Sequence, residues 1–401
     1  MVVDPCRLNL RHLRALMAIQ DSGSISGGAH ASQMSQSGLT QGIAKLESQI
    51  KCILLERQPD GINMTPNGEL ALVRIRAGFK HLDDALHRLD NDTAYLSWAI
   101  TMTHVRALTS LTHVRSYAAA AAASNMSQTA VHRAIVDLER LVNKSLVDRR
   151  AQGTSLSFAG RLLARGFRLL CGELRAMLSE ISGNDRIAPI SIGALSIARP
   201  YIVPTAIAQM VQENPKVRFS VAEGSWEDLV EQLQDGVLDI VIGVIHNPEL
   251  ANLRQEPLSD DRVVILCGHQ HPLANEPSPS LESLAKYPWI VAPQFSALRA
   301  QWETLFNHGP LPECPVECES IMVIINLLAQ SQFLTLASPR QVELPMQTRR
   351  LAQIKMQLND STRSVGLITR KSWQPTVTER RFIQLLKLAS NSAKATPITM
   401  K

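Results

Sequence analysis

The residues best equipped for chemistry fall into two sets of the same kind. Ser35, Gln36, Ser37, Thr40, Gln41 and Lys45 form one set, with Arg57 downstream. Ser127, Gln128, Thr129, His132 and Arg133 form the other, with Arg149 and Arg150 downstream. Hydroxyls, amides and cations of this sort donate and accept hydrogen bonds, but no nucleophile stands beside a base, so they suit recognition better than bond cleavage. Spacings of one, four and five residues gather them on one side of a helix. Such a face can read base edges, and arginines beyond it can grip phosphate. The competing reading is an ordinary solvated helix surface. No G-x-G-x-x-G, G-x-x-x-x-G-K-[ST], H-E-x-x-H or G-x-S-x-G occurs, so neither an enzyme nor a cofactor is expected. Cys314 and Cys318 lack a second pair or a nearby His cluster, so no metal site is expected either.

Both sets belong to a repeat. Shifting the 401-residue chain by 92 positions aligns Ala31-Ser-Gln-Met-Ser-Gln-Ser37 with Ala123-Ser-Asn-Met-Ser-Gln-Thr129, and residues 8–70 then show 19 identities without a gap. His12/His104, Arg14/Arg106, Leu46/Leu138, Glu47/Glu139, Arg57/Arg149 and Gly68/Gly160 are among them. Leu10, Leu13, Leu16 and Met17 predict a first helix, stopped near Asp21-Ser-Gly-Ser24, and a short second helix runs to about Ala31. Ser35 then precedes Leu39, Ile43, Leu46 and Ile50, the apolar stripe of a third helix with a serine cap. Ser127 precedes Val131, Ile135, Leu138 and Val142 in the same way. Helix, turn and longer helix is an arrangement whose last helix enters the DNA major groove. The turn residues Pro59-Asp60-Gly61 and Gln152-Gly153-Thr154 predict β-wings. Long amphipathic helices are expected over about Pro66 to Asp90 and Phe158 to Ile181.

Charge agrees with this division. Residues 1–186 hold 22 Lys and Arg against 16 Asp and Glu, and the excess lies entirely in residues 93–186, at 12 against 6. Residues 187–401 are near neutral, at 19 against 20. Hydrophobic residues make up 45% of the chain and no run of 18 apolar residues occurs, which excludes a disordered protein and a membrane-spanning helix. No secretory signal is visible, and six scattered cysteines suit a reducing compartment, so a cytoplasmic location is expected.

From Pro189 the pattern changes to strands alternating with helices. Ile190–Ala194, then Val217, Phe219 and Val221, then Asp239–Val244 predict strands, separated by a helix through Ile202 to Val211 and another capped by Ser225-Trp-Glu-Asp228. Further strands are expected at Arg262–Cys267, Trp289–Val291, Phe333–Leu336 and Val365–Thr369. Helices are expected at Ala297–Phe306, Ile321–Leu328, after Ser338-Pro339, and at Pro375–Leu388. This is an α/β pattern.

Both parts resemble the LysR-type transcriptional regulators. The reading helices carry it, as Met34-Ser-Gln-Ser-Gly-Leu-Thr-Gln-Gly-Ile-Ala-Lys-Leu-Glu47 and Met126-Ser-Gln-Thr-Ala-Val-His-Arg-Ala-Ile-Val-Asp-Leu-Glu139. So do Leu54-Leu-Glu-Arg57 with Met64-Thr-Pro-Asn-Gly68, and Leu146-Val-Asp-Arg149 with Leu156-Ser-Phe-Ala-Gly160. The family's usual arginine in this helix is Gln41 in the first copy and Arg133 in the second, and Ser157-Phe158 replaces a Thr-Pro. In the second half, Gly236-x-Leu-Asp239-x-x-Ile-Gly243 and His271-Pro-Leu-Ala274 look like the subgroup that answers to sugars or aromatic acids.

The resemblance implies two tandem winged helix-turn-helix units, over 1–92 and 93–186, each with its linker helix. A two-lobed α/β domain of the periplasmic-binding-protein type follows over 187–390, then a tail over 391–401. Double-stranded operator DNA and a small-molecule effector, a sugar or an aromatic or other organic acid, are the expected partners, with RNA polymerase as a further candidate, no membrane, and a homo-oligomer as the assembled form. By position, Ser196, Arg199, Ser225, His246, Gln294 and Ser296 would border the effector cleft, although Ser225 is a helix cap on any reading and Arg199 equally suits a surface. Family members dimerise through the helix after the DNA-binding unit. Here both such helices lie in one chain, and pairing them would span two half-sites roughly 34–36 Å apart. A solute-binding protein, and a regulator with one copy serving only as a dimerisation surface, remain as alternatives.

Overall fold

The computed structural model describes residues 4–58, 61–90, 94–112, 114, 116–150, 153–183, 189–246, 249–294, 296–307, 309, 311–358 and 361–392. The chain divides into two compact units, the first comprising residues 1–189 with Asp235–Val237 and the second Ile190–Gln234 with residues 238–401.

Unit one repeats one design twice. The first copy comprises α1 (Leu10–Ser22), α2 (Ile25–Ala31), α3 (Gln36–Ile50), the antiparallel hairpin β1 (Leu55–Gln58) and β2 (Gly61–Met64), and α4 (Pro66–Leu89). The second comprises α5 (Met102–Ser110), α6 (Tyr117–Ser124), α7 (Gln128–Val142), hairpin β3 (Val147–Arg150) and β4 (Gly153–Leu156), and α8 (Phe158–Ser182). Helix starts are matched at repeat-equivalent positions. Asn9 and Thr101 cap the first helices, Ser24 and Ser116 the second, Ser35 and Ser127 the third, and Thr65 and Ser157 the long ones. Each side-chain oxygen accepts from an amide of the first turn, which would otherwise lack a partner. Ser157 therefore keeps the cap even though the second copy lacks the Thr-Pro pair.

Gly28 and Gly42 sit inside α2 and α3 where these helices meet α1. A side chain at Gly28 would stand 2.9 Å from the Ile19 amide nitrogen, and at Gly42 2.9 Å from the His12 ring, so α2 and α3 pack closely on α1 through them. All eight stripe residues of α3 and α7 are buried.

The copies share a single core through α4 and α8. Along α4 the contacts advance from Arg74 to Gly78 and Ala85, while on α8 they retreat from Glu180 to Leu170 and Gly166, so the helices run antiparallel. Two facing pairs, Gly78 with Leu170 and His81 with Glu173, are repeat-equivalents of each other. The pair Arg74 and Glu173 exchanges into Gly166 and His81, which also meet. That is the signature of a local twofold axis between the copies. The expected intrachain pairing of the end helices is present.

Unit two opens with β5 (Ile190–Ala194), α9 (Ile202–Glu213), β6 (Phe219–Ala222), α10 (Trp226–Gln234) and β7 (Ile240–Val244). Strand β8 (Leu253–Arg262) passes straight into β9 (Val264–Gly268), followed by α11 (Leu281–Ala285), β10 (Trp289–Val291), α12 (Ala297–Leu305) and β11 (Val316–Glu317). Then come α13 (Ile321–Gln330), β12 (Leu334–Ala337), α14 (Glu343–Gln347), β13 (Leu351–Gln353), β14 (Thr362–Arg370) and α15 (Val377–Ser392). The strands make two five-stranded sheets, ordered β6-β5-β7-β14-β8 and β11-β10-β12-β9-β13. In each, three strands pair in parallel, the fourth (β14 or β9) runs antiparallel to them, and the fifth (β8 or β13) pairs antiparallel with the fourth. The buried strand β7 has β5 parallel on one side and β14 antiparallel on the other. Strands β8 to β9 and β13 to β14 carry the chain from one sheet to the other, making two lobes.

Candidate DNA and effector sites

The reading helices present what their sequence implies. Ser35 and Ser127 accept the Gly38 and Ala130 amides at 3.0 and 3.1 Å, so each helix starts immediately before its polar face. Ser37 and Thr129 lie against these caps, with hydroxyls 3.3 and 3.0 Å from the Ser35 and Ser127 oxygens. Gln36, Gln41 and Lys45 are exposed, as are Gln128, Thr129, His132 and Arg133. Thr40 is half-buried, donating to the Gln36 carbonyl at 2.9 Å, while the His132 ring leans on Tyr117 at 5.3 Å between centroids. Arg57 lies on β1, and Arg149 and Arg150 lie on β3. The side chains of these three arginines fall outside the described residues, as do Pro59, Asp60 and Gln152 of the wing turns.

Glu47 and Glu139 carry a role that the motif alone does not disclose. Glu47 Oε1 accepts from the Leu54 and Leu55 amides at 2.7 and 3.1 Å, and Glu139 Oε1 from Leu146 and Val147 at 2.8 and 3.3 Å. Each carboxylate ties its reading helix to its wing. The wing is then pressed onto the long helix, since a side chain at Gly68 or Gly160 would fall 2.1 or 2.0 Å from the Leu54 or Leu146 carbonyl oxygen. Their identity across the repeat is the signal, legible as a demand for closeness at those points.

Other repeat-equivalent positions have diverged. Arg14 is buried, its guanidinium 4.3 Å from the Phe79 ring centroid and 5.4 Å from that of Trp98, and it donates to the Ser97 carbonyl. Burial draws its pKa down to about 10. Arg106 instead donates to the Ser124 carbonyl at the end of α6. The places corresponding to Trp98 and Phe79 hold Cys6 and Cys171, whose sulfurs are 3.8 Å apart.

In unit two, Ser196 and Arg199 follow β5, Ser225 precedes α10 and His246 follows β7, all at the carboxyl edge of the first sheet. Gln294 and Ser296 occupy the same edge of the second, between β10 and α12, and Ser296 accepts the Arg299 amide at 3.1 Å. Strand ends and helix starts of this kind are where α/β folds bind ligands. Arg199 Nη1 lies 3.0 Å from Glu223 Oε2 and its Nε donates to the Ala194 carbonyl at 3.0 Å. The Ser225 box is half formed, because Asp228 Oδ2 accepts from the Ser225 hydroxyl at 2.8 Å. Sequence reasoning passed over Trp226, which stacks on His246 with centroids 3.8 Å apart and planes at 19°.

It also passed over Asp261, at the end of β8, which accepts from the Ser338 hydroxyl at 2.6 Å and from Arg363 Nε at 2.9 Å, joining both crossing strands to the start of the turn after β12. Among the described residues, no group of three or more His, Cys, Asp or Glu is placed to hold a metal, and no helix is long and apolar enough to cross a membrane.

Comparison with known proteins agrees with this layout. Residues 10–69 and 102–161 each match the bacterial regulatory helix-turn-helix protein, lysR family, and residues 184–390 match the LysR substrate binding domain. The chain is 27% identical over 367 residues to the HTH-type transcriptional regulator GalR of Pseudomonas putida, covering 90% of this chain and 92% of that one. It is 28% identical over 228 residues to the HTH-type transcriptional regulator TdcA of Escherichia coli, covering 55% and 71%. In fold it is similar to full-length OxyR from Pseudomonas aeruginosa, with a TM-score of 0.58 at 20% identity over 73% of this chain and 95% of that one. The LysR family transcriptional regulator CbnR gives a TM-score of 0.50 at 15% identity over 72% and 98%. Reading helices in duplicate, wings pinned to long helices and a two-lobed α/β domain, each matched by its own family, show that the chain belongs to the LysR family of DNA-binding transcriptional regulators.

Proposed function

We propose that both helix-turn-helix copies engage operator DNA, with α7 making the stronger contact, and that a small-molecule effector held in unit two governs the outcome. The observation that carries this is the polar face of α7, which stands exposed with Arg133 behind the Ser127 cap while its opposite face is fully buried. A guanidinium there can grip guanine or phosphate bidentately, which the amide of Gln41 in the first copy cannot equal for charge. Ser35, Gln36, Ser37, Thr40, Gln41 and Lys45, with Ser127, Gln128, Thr129 and His132, complete the reading surfaces, and Arg57, Arg149 and Arg150 serve as phosphate contacts. Arg133→Ala weakens operator binding more than Gln41→Ala, measured by fluorescence anisotropy across a salt series. Equal losses would reverse the ranking.

For the effector, the stacked Trp226 and His246 beside Ser225 offer a flat face to a sugar or aromatic ring. The α12 start at Ser296 offers backbone amides to a carboxylate. A thermal-shift panel of sugar acids and aromatic carboxylates, repeated on Trp226→Ala, tests this directly. The protein acts in the cytoplasm without catalytic chemistry, as a regulator whose chains associate into an oligomer.

A further inference from the structure

We infer that one chain is a complete two-headed reader, and that its operator consists of two unlike half-sites in fixed order rather than a palindrome. This rests on the DNA-reading role proposed above and adds the class of DNA that would be selected.

The seam supplies the first half of the argument. In a dimer of identical subunits, a residue on the twofold axis faces its own copy. Here the residues nearest the axis face their repeat-equivalents, and these differ: Gly78 receives Leu170, and His81 meets Glu173 at 4.0 Å. Beside them, Arg74 holds Glu173 at 3.0 Å and Glu180 at 2.7 Å, whereas its equivalent Gly166 lets the backbone of α4 approach. Pairing α8 with a second α8 would set Glu173 against Glu173 and crowd Leu170 against Leu170. Pairing α4 with a second α4 would set Arg74 beside His81 with no carboxylate to hold it. The seam thus fits the unlike helix and opposes the like one, so the two heads it joins are always one of each kind.

The heads supply the second half. Ser35 and Gln36 have the same counterparts, Ser127 and Gln128, but deeper in the helix Thr40 becomes His132, Gln41 becomes Arg133 and Lys45 becomes Asp137. Glutamine pairs bidentately with adenine and arginine with guanine, while lysine and aspartate seek opposite partners. Two heads that differ at these positions favour different base pairs. A seam that fixes one of each kind makes the combined site asymmetric.

The experiment selects duplexes from a randomised library with the full-length chain, then repeats the selection with Arg133→Gln and with Gln41→Arg. Both residues are exposed, and circular dichroism confirms that the fold is retained. The expected motif differs from its own reverse complement. Arg133→Gln changes base preference in one half only, by roughly 5- to 150-fold, and Gln41→Arg makes the two halves more alike. A palindromic motif, or an Arg133→Gln effect shared equally by both halves, overturns the inference while leaving DNA reading intact. Failure to retain any duplex at low salt removes DNA reading itself.

Discussion

Substituting Arg74 by methionine isolates the electrostatics of the seam. Methionine keeps most of the stem volume, so the loss is that of the guanidinium and its hydrogen bonds, among them those from Nη1 to Glu173 and from Nε and Nη2 to Glu180. The side chains are 5, 7 and 13% exposed, so the site is nearly closed to water. Burial alone would lower the Arg74 pKa, but the hydrogen bonds it donates to Glu180 and Glu173 outweigh it and hold the pKa above its ordinary value. Removing one partner of a buried pair costs about 3–5 kcal/mol, because the remaining charge is desolvated without compensation. Two carboxylates are abandoned here, which places the cost in the upper part of that range at pH 7. For a unit of this size, that lowers its melting temperature by roughly 8–20 °C. Calorimetry following the transition of unit one measures it. Replacing Glu173 and Glu180 by methionine as well restores most of the stability, because apolar groups of similar volume tolerate such a site. A loss under about 1 kcal/mol, the scale of an exposed pair, or a triple variant no better than the single one, would refute the reasoning.

Other substitutions probe the wing, the cores and the crossing. Gly160→Ala forces a methyl to 2.0 Å from the Leu146 carbonyl oxygen and lowers stability by roughly 1–3 kcal/mol, whereas Gly172→Ala, with open space around it, raises stability by about 0.5–1 kcal/mol; urea unfolding of the two variants gives opposite shifts in midpoint. His12 and His104 are held below the ordinary histidine pKa by burial, so the unfolded chain binds protons first and stability falls as pH drops below about 6.5; unfolding from pH 7.5 to 5 shows a shallower slope when both are glutamine. Asp261→Asn removes the anion that Arg363 requires and costs unit two about 1.5–3 kcal/mol, read as a lower melting temperature with the reading helices intact.

Legibility in the sequence followed how local each determinant was. Caps such as Ser35 and Ser127, and stripes such as Val131 to Val142, act within a few residues, so the reading helices were evident from spacing. The run Ile240–Val244 announced a buried strand, but its antiparallel neighbour β14 comes more than a hundred residues later, and periodicity carries no record of that partner. Strand β8 was anticipated only at Arg262, because Leu253–Arg262 mixes charged residues with Pro257 and lacks strict alternation. The same limit hid Asp261, whose partners Ser338 and Arg363 are distant in sequence, and Trp226, which reads as an ordinary first-turn residue until His246 stacks on it.

The seam between α4 and α8 changes the mass action of the molecule. Partners that meet from separate chains come apart on dilution, and their folded fraction depends on how much protein is present. Here the connector from Leu89 to Met102 joins the two halves, so each meets the other at an effective concentration on the order of millimolar, whatever the bulk level. A cell holding only a handful of these molecules would still hold the two helix-turn-helix copies of each chain assembled.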